Sequence, residues 1–190
     1  MTAFPPRPVE IHAYAIVSSD DGIADAAGVM PPELHNDADW AYFQAELDRA
    51  DLVALGRVSH EATPNRKRRR RLTLSRQARG LERRADADWW NPADLPWSEV
   101  ARQLLPDGGR VAVPGGQAAF DVFLGVGYTA FHLSRANRVA IPAGRRLFAA
   151  CERGLAAEAV LAGAGLVAGT TDIIDAAADV TLTIWRAPAS

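Results

Sequence analysis

The β-branched run Val111-Ala112-Val113 leads through Pro114 into the pair Gly115-Gly116, and the amphipathic run Gln117-Ala118-Ala119-Phe120 follows at once. Residues of these types in this order can hold a phosphate. Glycine turns the chain sharply and lets a ligand approach with no Cβ in the way. A helix starting there aims free N–H groups and a positive dipole end at that ligand. A two-glycine turn ahead of a helix is also an ordinary structural connection, and both readings stand here. Other chemistries find no support in the spacing. Serine, histidine and aspartate all occur, but no Gly-x-Ser-x-Gly elbow does. No Gly-Lys-Ser/Thr phosphate loop is present. His12, His35, His60 and His132 are spaced unlike any metal motif, so no metal is expected.

The strongest charge feature is Arg66-Lys67-Arg68-Arg69-Arg70-Arg71. Such runs can bind nucleic acid. Here the run precedes an apolar strand in a chain of net charge −2. The favoured reading is a solvated loop that raises the potential around an anionic cofactor, with no nucleic-acid partner.

The elements that must position these residues alternate between strand and helix patterns. Ile11–Val17 is an apolar run that reads as a buried strand. Ser18–Gly28 and Met30-Pro31-Pro32 read as a loop. Asn36 or Asp37 caps a helix running to about Ala50, with Trp40, Phe43, Leu47 and Ala50 on one face. Leu52–Leu55 and Leu72–Ser75 are short strands, and Ser98–Leu105 is a helix ended by Pro106 and Gly108-Gly109. Gln77–Pro96 carries no clear period, with Trp89 and Trp90 as its large apolar anchors. Thr129–Ser134 alternates as a strand, and a last strand spans Val180–Trp185. This alternation predicts an α/β fold with a sheet parallel in its core and helices on both faces, its ligands at the carboxyl ends of the strands.

Composition sets the outer bounds. The chain has 190 residues, 48% of them hydrophobic and 23% charged, which suits one domain with a sizeable core. Residues 1–8 read as a poorly ordered leader and 9–190 as a single domain. The single cysteine, Cys151, excludes an internal disulfide and a Cys-based zinc site and suits a cytoplasmic location. No segment is long and apolar enough to span a bilayer, and no membrane partner is expected.

Several pieces occur in a familiar order. The first strand leads to Asp20-Asp21-Gly22-Ile23-Ala24, and Met30-Pro31 leads to Asp39-Trp40-Ala41-Tyr42-Phe43. Next come Gly56-Arg57-Val58-Ser59-His60-Glu61, then Leu74-Ser75-Arg76. Gly115-Gly116 precedes Phe120, and Phe131-His132-Leu133-Ser134 follows. This order resembles the dihydrofolate reductase superfamily, which includes the reductase domain of riboflavin biosynthesis, over roughly residues 9–148. The resemblance implies a dihydrofolate reductase-like, mixed eight-stranded sheet, mostly parallel. It also implies NADPH as cofactor and hydride transfer to a small pterin-like or pyrimidine-like heterocycle. A homodimer is frequent in the riboflavin-type branch.

The same resemblance assigns residues. Asp39 matches the active-site carboxylate, which accepts two parallel N–H donors of an aminopyrimidine edge in a fork; alternatively it is a first-turn acid that favours the helix dipole. Ser134 matches the hydroxyl that hydrogen-bonds this carboxylate. Gly115, Gly116, Gln117 and Ala118 would cradle the pyrophosphate. Gly56, Arg57, Ser59, Ser75 and Arg76 would receive the rest of the cofactor, with the arginines and serines on the 2′-phosphate. Neither of these two turns carries the acid that a free 2′-hydroxyl would need, which points away from NADH. Phe43 and Arg69 would bind substrate, Arg69 through a carboxylate. The loop from Asp20 to Pro32 would close over the site. Two positions depart from the pattern. Pro32 stands for an aromatic residue after the Met-Pro loop, and Phe120 for a tyrosine after the Gly-Gly turn. A non-catalytic NADP-binding or sensor protein of the same fold is therefore the alternative.

Overall fold

The computed structural model describes residues 7–188. Its strands are β1 (Val9–Ser18), β2 (Gly22–Ala24), β3 (Leu52–Gly56), β4 (Arg71–Leu74), β5 (Leu81–Arg83), β6 (Asp88–Trp90), β7 (Gly109–Gly115), β8 (Ala130–Ala136), β9 (Arg145–Arg146), β10 (Val167–Asp175) and β11 (Val180–Arg186). The helices are α1 (Asp37–Asp48), α2 (Arg57–Ala62), α3 (Trp97–Leu104), α4 (Gln117–Val126) and α5 (Ala157–Gly163). Nine strands form one sheet in the order β10-β11-β8-β1-β7-β3-β4-β6-β5. β1 lies between β7 and β8 and is parallel to both, and β3, β4 and β6 continue the parallel part. The antiparallel pairings are at the two edges, where β11 joins β8 and β10, and β5 joins β6.

The parallel centre is built from strands apolar on both faces, because helices cover both. On one face α3, α4 and α5 contribute Val100, Leu104, Phe120, Phe123, Val160 and Leu161 to the main core. There they meet Ile11, Ala13 and Val17 of β1, Val111 and Val113 of β7, and Phe131 and Leu133 of β8. On the other face α1 packs Phe43 and Leu47 over Tyr14, Val53, Leu55 and Ala112.

Nine strands replace the expected eight. Trp89 and Trp90 anchor β6, with β5 as its partner, in a segment whose polar surface hid any period. β10 lies in the alanine-rich C-terminal part and is exposed along most of its length, so it carries no burial alternation to read. Of the expected leader, residues 1–6 lie outside the described residues. Arg7 and Pro8 are tied to the start of β7 through Arg7 N–H to Asp107 O (3.1 Å) and Gly109 N–H to Pro8 O (3.3 Å).

Because the central strands are parallel, their carboxyl ends share one edge. The register Gly56↔Leu74 places the turns after β3 and β4 side by side. The register Leu55↔Gly115 brings the turn after β7 against that after β3. Ile16↔Ser134 places Ser134 near the carboxyl end of β1.

Candidate active site at the carboxyl edge of the sheet

Asn36, not Asp39, caps α1. Its side-chain oxygen accepts from the N–H groups of Ala38 and Asp39 (both 3.1 Å), and its amide donates to Asp175 (2.8 Å). With that cap supplied, the Asp39 side chain is free to face the sheet. Burial pushes the Asp39 carboxyl above its ordinary range, while the neighbouring Ser134 hydroxyl and the charge of His35 pull it partly back. Ser134 is itself 1% exposed. The structure therefore brings Asp39 and Ser134 together in a desolvated corner. Phe43, one turn further along α1, packs on Trp40 (5.5 Å between ring centres) and Tyr14 (6.5 Å). Trp40 is half exposed and stands at the rim.

The turns expected to meet phosphate gather on the same edge. Gly115 and Gly116 have φ of +152° and +84°, backbone conformations that favour glycine. A Cβ on Gly116 would lie 3.4 Å from Ser59 Oγ, and Gly56 N is 3.9 Å from the same point. The Gly116 carbonyl accepts from Ala119 and Phe120 N–H, whereas the Gln117 and Ala118 N–H groups have no backbone acceptor among the described residues. Those two donors, at the start of a ten-residue helix with no side-chain cap, are what an anion would meet. The Gln117 side chain is engaged elsewhere, on Arg146 O and Glu152 (both 3.0 Å).

At the neighbouring turn, Arg76 is exposed and has no hydrogen-bond or ion-pair partner among the described residues. Ser75 is buried and accepts from Gln77 N–H (3.1 Å), which leaves its hydroxyl proton free. Arg57 shares one terminal nitrogen with both oxygens of Glu61 (2.9 and 2.8 Å), so part of its fork is already paired within α2.

Arg69 is placed differently from the expectation of a free substrate clamp. Its guanidinium holds Asp48 (2.6 Å) and Gln44 (2.8 Å) of α1. Asp48 supplies in the chain itself the carboxylate that a substrate was expected to bring. Phe120 is 1% exposed and packs on Phe131 and Phe148, so its replacement of tyrosine is a core feature and not a change in the pocket. Pro32 opens a short 3-10 turn over Pro32–Leu34 and is exposed. The loop ahead of it is pinned at its start. Asp20 accepts from Ser18 (2.6 Å), from Ile141 N–H (2.9 Å) and from Arg146 (2.8 Å). Burial works against these contacts, yet the carboxyl is brought down to about 2. Arg135 holds Asp21 (2.6 Å), and Val29 and Met30 stand exposed further along the loop.

Sequence reasoning missed the polar network directly below this corner. Tyr42 bonds to His132 Nδ1 (2.5 Å), and His132 Nε2 faces His12 Nδ1 at 3.3 Å. Tyr14 stacks on His132 and donates to Glu46 (3.1 Å). His12 and Tyr14 alternate on one face of β1, and that polar pair within an apolar run was the available signal. Burial, then His12, Arg186 and Arg110, bring His132 down from 6.5 to about 3. The unfolded chain takes up this proton as pH falls through 6.5, while the folded chain resists until near 3. Stability should therefore decline with acidification across that window. Urea unfolding at a series of pH values should show a shallower decline in His132→Gln, and an unchanged decline would assign the loss to other groups.

No family model matches the chain, and no curated protein does. Solved structures do. A riboflavin biosynthesis protein of Shewanella sp. PV-4 superposes with a TM-score of 0.65 at 15% identity, over 95% of this chain and 100% of that one. A diaminohydroxyphosphoribosylaminopyrimidine deaminase/5-amino-6-(5-phosphoribosylamino)uracil reductase of Thermotoga maritima gives 0.64 at 18% identity, over 96% of this chain and 57% of that one. The chain thus spans little more than half of that bifunctional protein. Dihydrofolate reductase of Enterococcus faecalis, solved with NADP(H) and RAB-propyl, gives 0.61 at 13% identity, over 93% and 95%. The chain has the dihydrofolate reductase-like fold. Within it the central parallel strands bring the half-buried Asp39 and the turns after β3, β4 and β7 to a common edge. No helix among the described residues is long and apolar enough to cross a membrane, and none of their side-chain groupings would hold a metal ion.

Proposed function

We propose that the chain is an NADPH-dependent reductase of a small pterin-like or pyrimidine-like heterocycle. The observation that supports this reading is the proximity of the largely desolvated Asp39 to Ser134, at the sheet edge that also holds the Gly56, Ser75 and Gly115-Gly116 turns. The cradle fits a dinucleotide phosphate. The space a Cβ would fill is empty at Gly115, and two N–H donors start α4 without acceptors. Gly115, Gly116, Gln117 and Ala118 would hold the pyrophosphate. Arg76 and Ser75, with the unpaired part of Arg57 and with Ser59 beside Gly116, would hold the 2′-phosphate. When bound, the nicotinamide supplies the hydride.

The residues of the chain do the rest. Asp39 accepts the paired N–H donors of the heterocycle edge and fixes its orientation. Its raised pKa keeps a share of the carboxyl protonated at pH values where an exposed aspartate is fully ionised, so it can hold a proton at its Oδ for the reduced ring nitrogen. Ser134 holds the carboxyl in place. Phe43 and Trp40 offer aromatic surface beside it. With Arg69 closed on Asp48, the substrate of this reading carries no acidic tail at that end. The riboflavin-type and dihydrofolate-type neighbours support a heterocycle as substrate class. A screen of pterins and aminopyrimidines with NADPH, followed at the nicotinamide absorbance, should find at least one that is reduced. Tight NADPH binding with no oxidation across the whole panel would favour the non-catalytic alternative, which the exposed Pro32 motivates.

A further inference from the structure

The arginine run is not absorbed by this site. β4 begins at Arg71 and ends at Leu74, so the run lies at the opposite end of β4 from Ser75 and Arg76. With Arg83 and Arg84 it lines a groove of about 500 Å³, to which the run contributes Arg68, Arg69, Arg70 and Arg71. We infer that this groove binds a linear chain of phosphates, at a site separate from the proposed cofactor cradle and not dependent on it.

Three observations support the inference. First, the loop is built. Asn65 bonds to both the N–H and the carbonyl of Arg69 (3.0 and 2.7 Å), and Arg68 N–H bonds to Asn65 O (3.0 Å). Arg68 is held at φ +52°, a conformation that costs a non-glycine residue about 1 kcal/mol or more. Lys67 and Arg69 clamp the loop on Asp48 (both 2.6 Å).

Second, the charge of the groove is undercompensated. Arg71 donates to the neutral carbonyl of Thr63 (2.8 Å) and Arg70 to that of Leu104 (2.7 Å). Arg70 and Arg83 share one carboxylate, Asp88, each at 3.4 Å. Arg84 pairs with Glu82 (2.6 Å), and Asp86 is engaged by His60 (2.8 Å). Arg66 and Arg68 have no side-chain partner among the described residues and are exposed. Burial and the like charge of Arg69 hold the Arg71 guanidinium below its ordinary range.

Third, the groove reads phosphate and not bases. Guanidinium forks match phosphate oxygens, and several in a row match a chain of them better than a single ion. Base recognition on single strands needs exposed aromatic platforms. The aromatic side chain at this place, Trp89, is 6% exposed and lies beneath Arg84, whose Cζ is 4.2 Å from the ring centre.

The test is titration of the full chain with linear inorganic polyphosphate, a single-stranded homopolymeric oligonucleotide and poly-glutamate at stepped salt. Polyphosphate should bind at low salt, with affinity falling linearly on a logarithmic salt scale. The triple variant Arg68→Gln, Arg83→Gln, Arg84→Gln should bind more than about tenfold more weakly and lose about 2 units of salt slope, at about 0.7 per lost phosphate contact. A control triple, Arg102→Gln, Arg138→Gln, Arg153→Gln, should leave both unchanged. Oligonucleotide binding alongside polyphosphate supports the shared phosphate chemistry and names a second source of it. No polyphosphate binding at low salt, an equal loss in the control, equal binding of poly-glutamate, or oligonucleotide binding without polyphosphate would each overturn the inference. On the unmutated chain, polyphosphate should protect Arg68, Arg83 and Arg84 from dicarbonyl modification read by mass spectrometry, and absence of protection there also overturns it. NADPH binding is measured separately, so a failed cradle and a failed groove give different results.

Discussion

Asp39→Asn is expected to lower turnover by about 10²- to 10⁴-fold, the range lost with a positioned general acid, while NADPH affinity stays nearly unchanged. The amide keeps the size of the side chain, so the pocket is not enlarged. It cannot hold a carboxyl proton for the reduced nitrogen, and it presents a donor where the heterocycle edge needs an acceptor. The same variant should be more stable near neutral pH. The folded-state pKa of Asp39 lies above its ordinary value because of burial, so its ionised form is disfavoured in the folded chain. Its contribution to stability is fullest below the unfolded pKa and is lost as pH rises through the folded one. A neutral isostere removes that loss, so the thermal midpoint at neutral pH should rise as activity falls. A merely structural acid at the start of α1 would give the opposite pair of results: activity kept and stability lowered. Equal activity in the variant would remove Asp39 from the mechanism.

Gly116→Ala should weaken NADPH binding by about tenfold or more, each tenfold being about 1.4 kcal/mol. Two causes act together. At φ +84° an alanine is strained by about 1–2 kcal/mol. Its Cβ would also sit 3.4 Å from Ser59 Oγ, in the space between the turns after β3 and β7. The strain should appear as a lower unfolding midpoint without ligand, and the obstruction as a loss of affinity beyond it. Gly165→Ala is the matched comparison. It has the same φ of +84°, open space around its Cβ and a position between α5 and β10, outside the proposed cradle. Its stability should fall by a similar amount, and its NADPH affinity should not. Equal affinity losses in both variants would assign the effect to strain alone.

Much of this arrangement was legible from periodicity. The Val111–Val113 run is apolar on both faces because helices cover both sides of the sheet, and Ile11–Val17 is so apart from His12 and the Tyr14 hydroxyl; such runs mark parallel strands. The Gly115-Gly116 turn was legible because its positive φ values favour one residue type. The cap of α1 was legible to within one residue, as Asn36 or Asp37, because both types favour that position, and the structure selects Asn36. The edge strands were not legible. β10 is exposed on both faces and β5 is three residues long, so neither shows the alternation that burial imposes. Roles that depend on partners distant in sequence were also hidden. Arg69 reads alike whether it waits for a substrate or closes on Asp48, and only the packing of α1 against the loop after α2 decides. The Tyr42–His132–His12 network joins one helix and two strands, and no local spacing announces it.

The most direct measurement is a titration of the chain with NADPH and with NADH, followed by addition of a reducible aminopyrimidine or pterin. A shared edge carrying both the cradle and Asp39 predicts saturable NADPH binding, at least about tenfold tighter than NADH through the guanidinium and hydroxyl contacts to the 2′-phosphate, and then oxidation of the bound cofactor. Failure of either nucleotide to bind, or equal binding of the two with no oxidation, would contradict it.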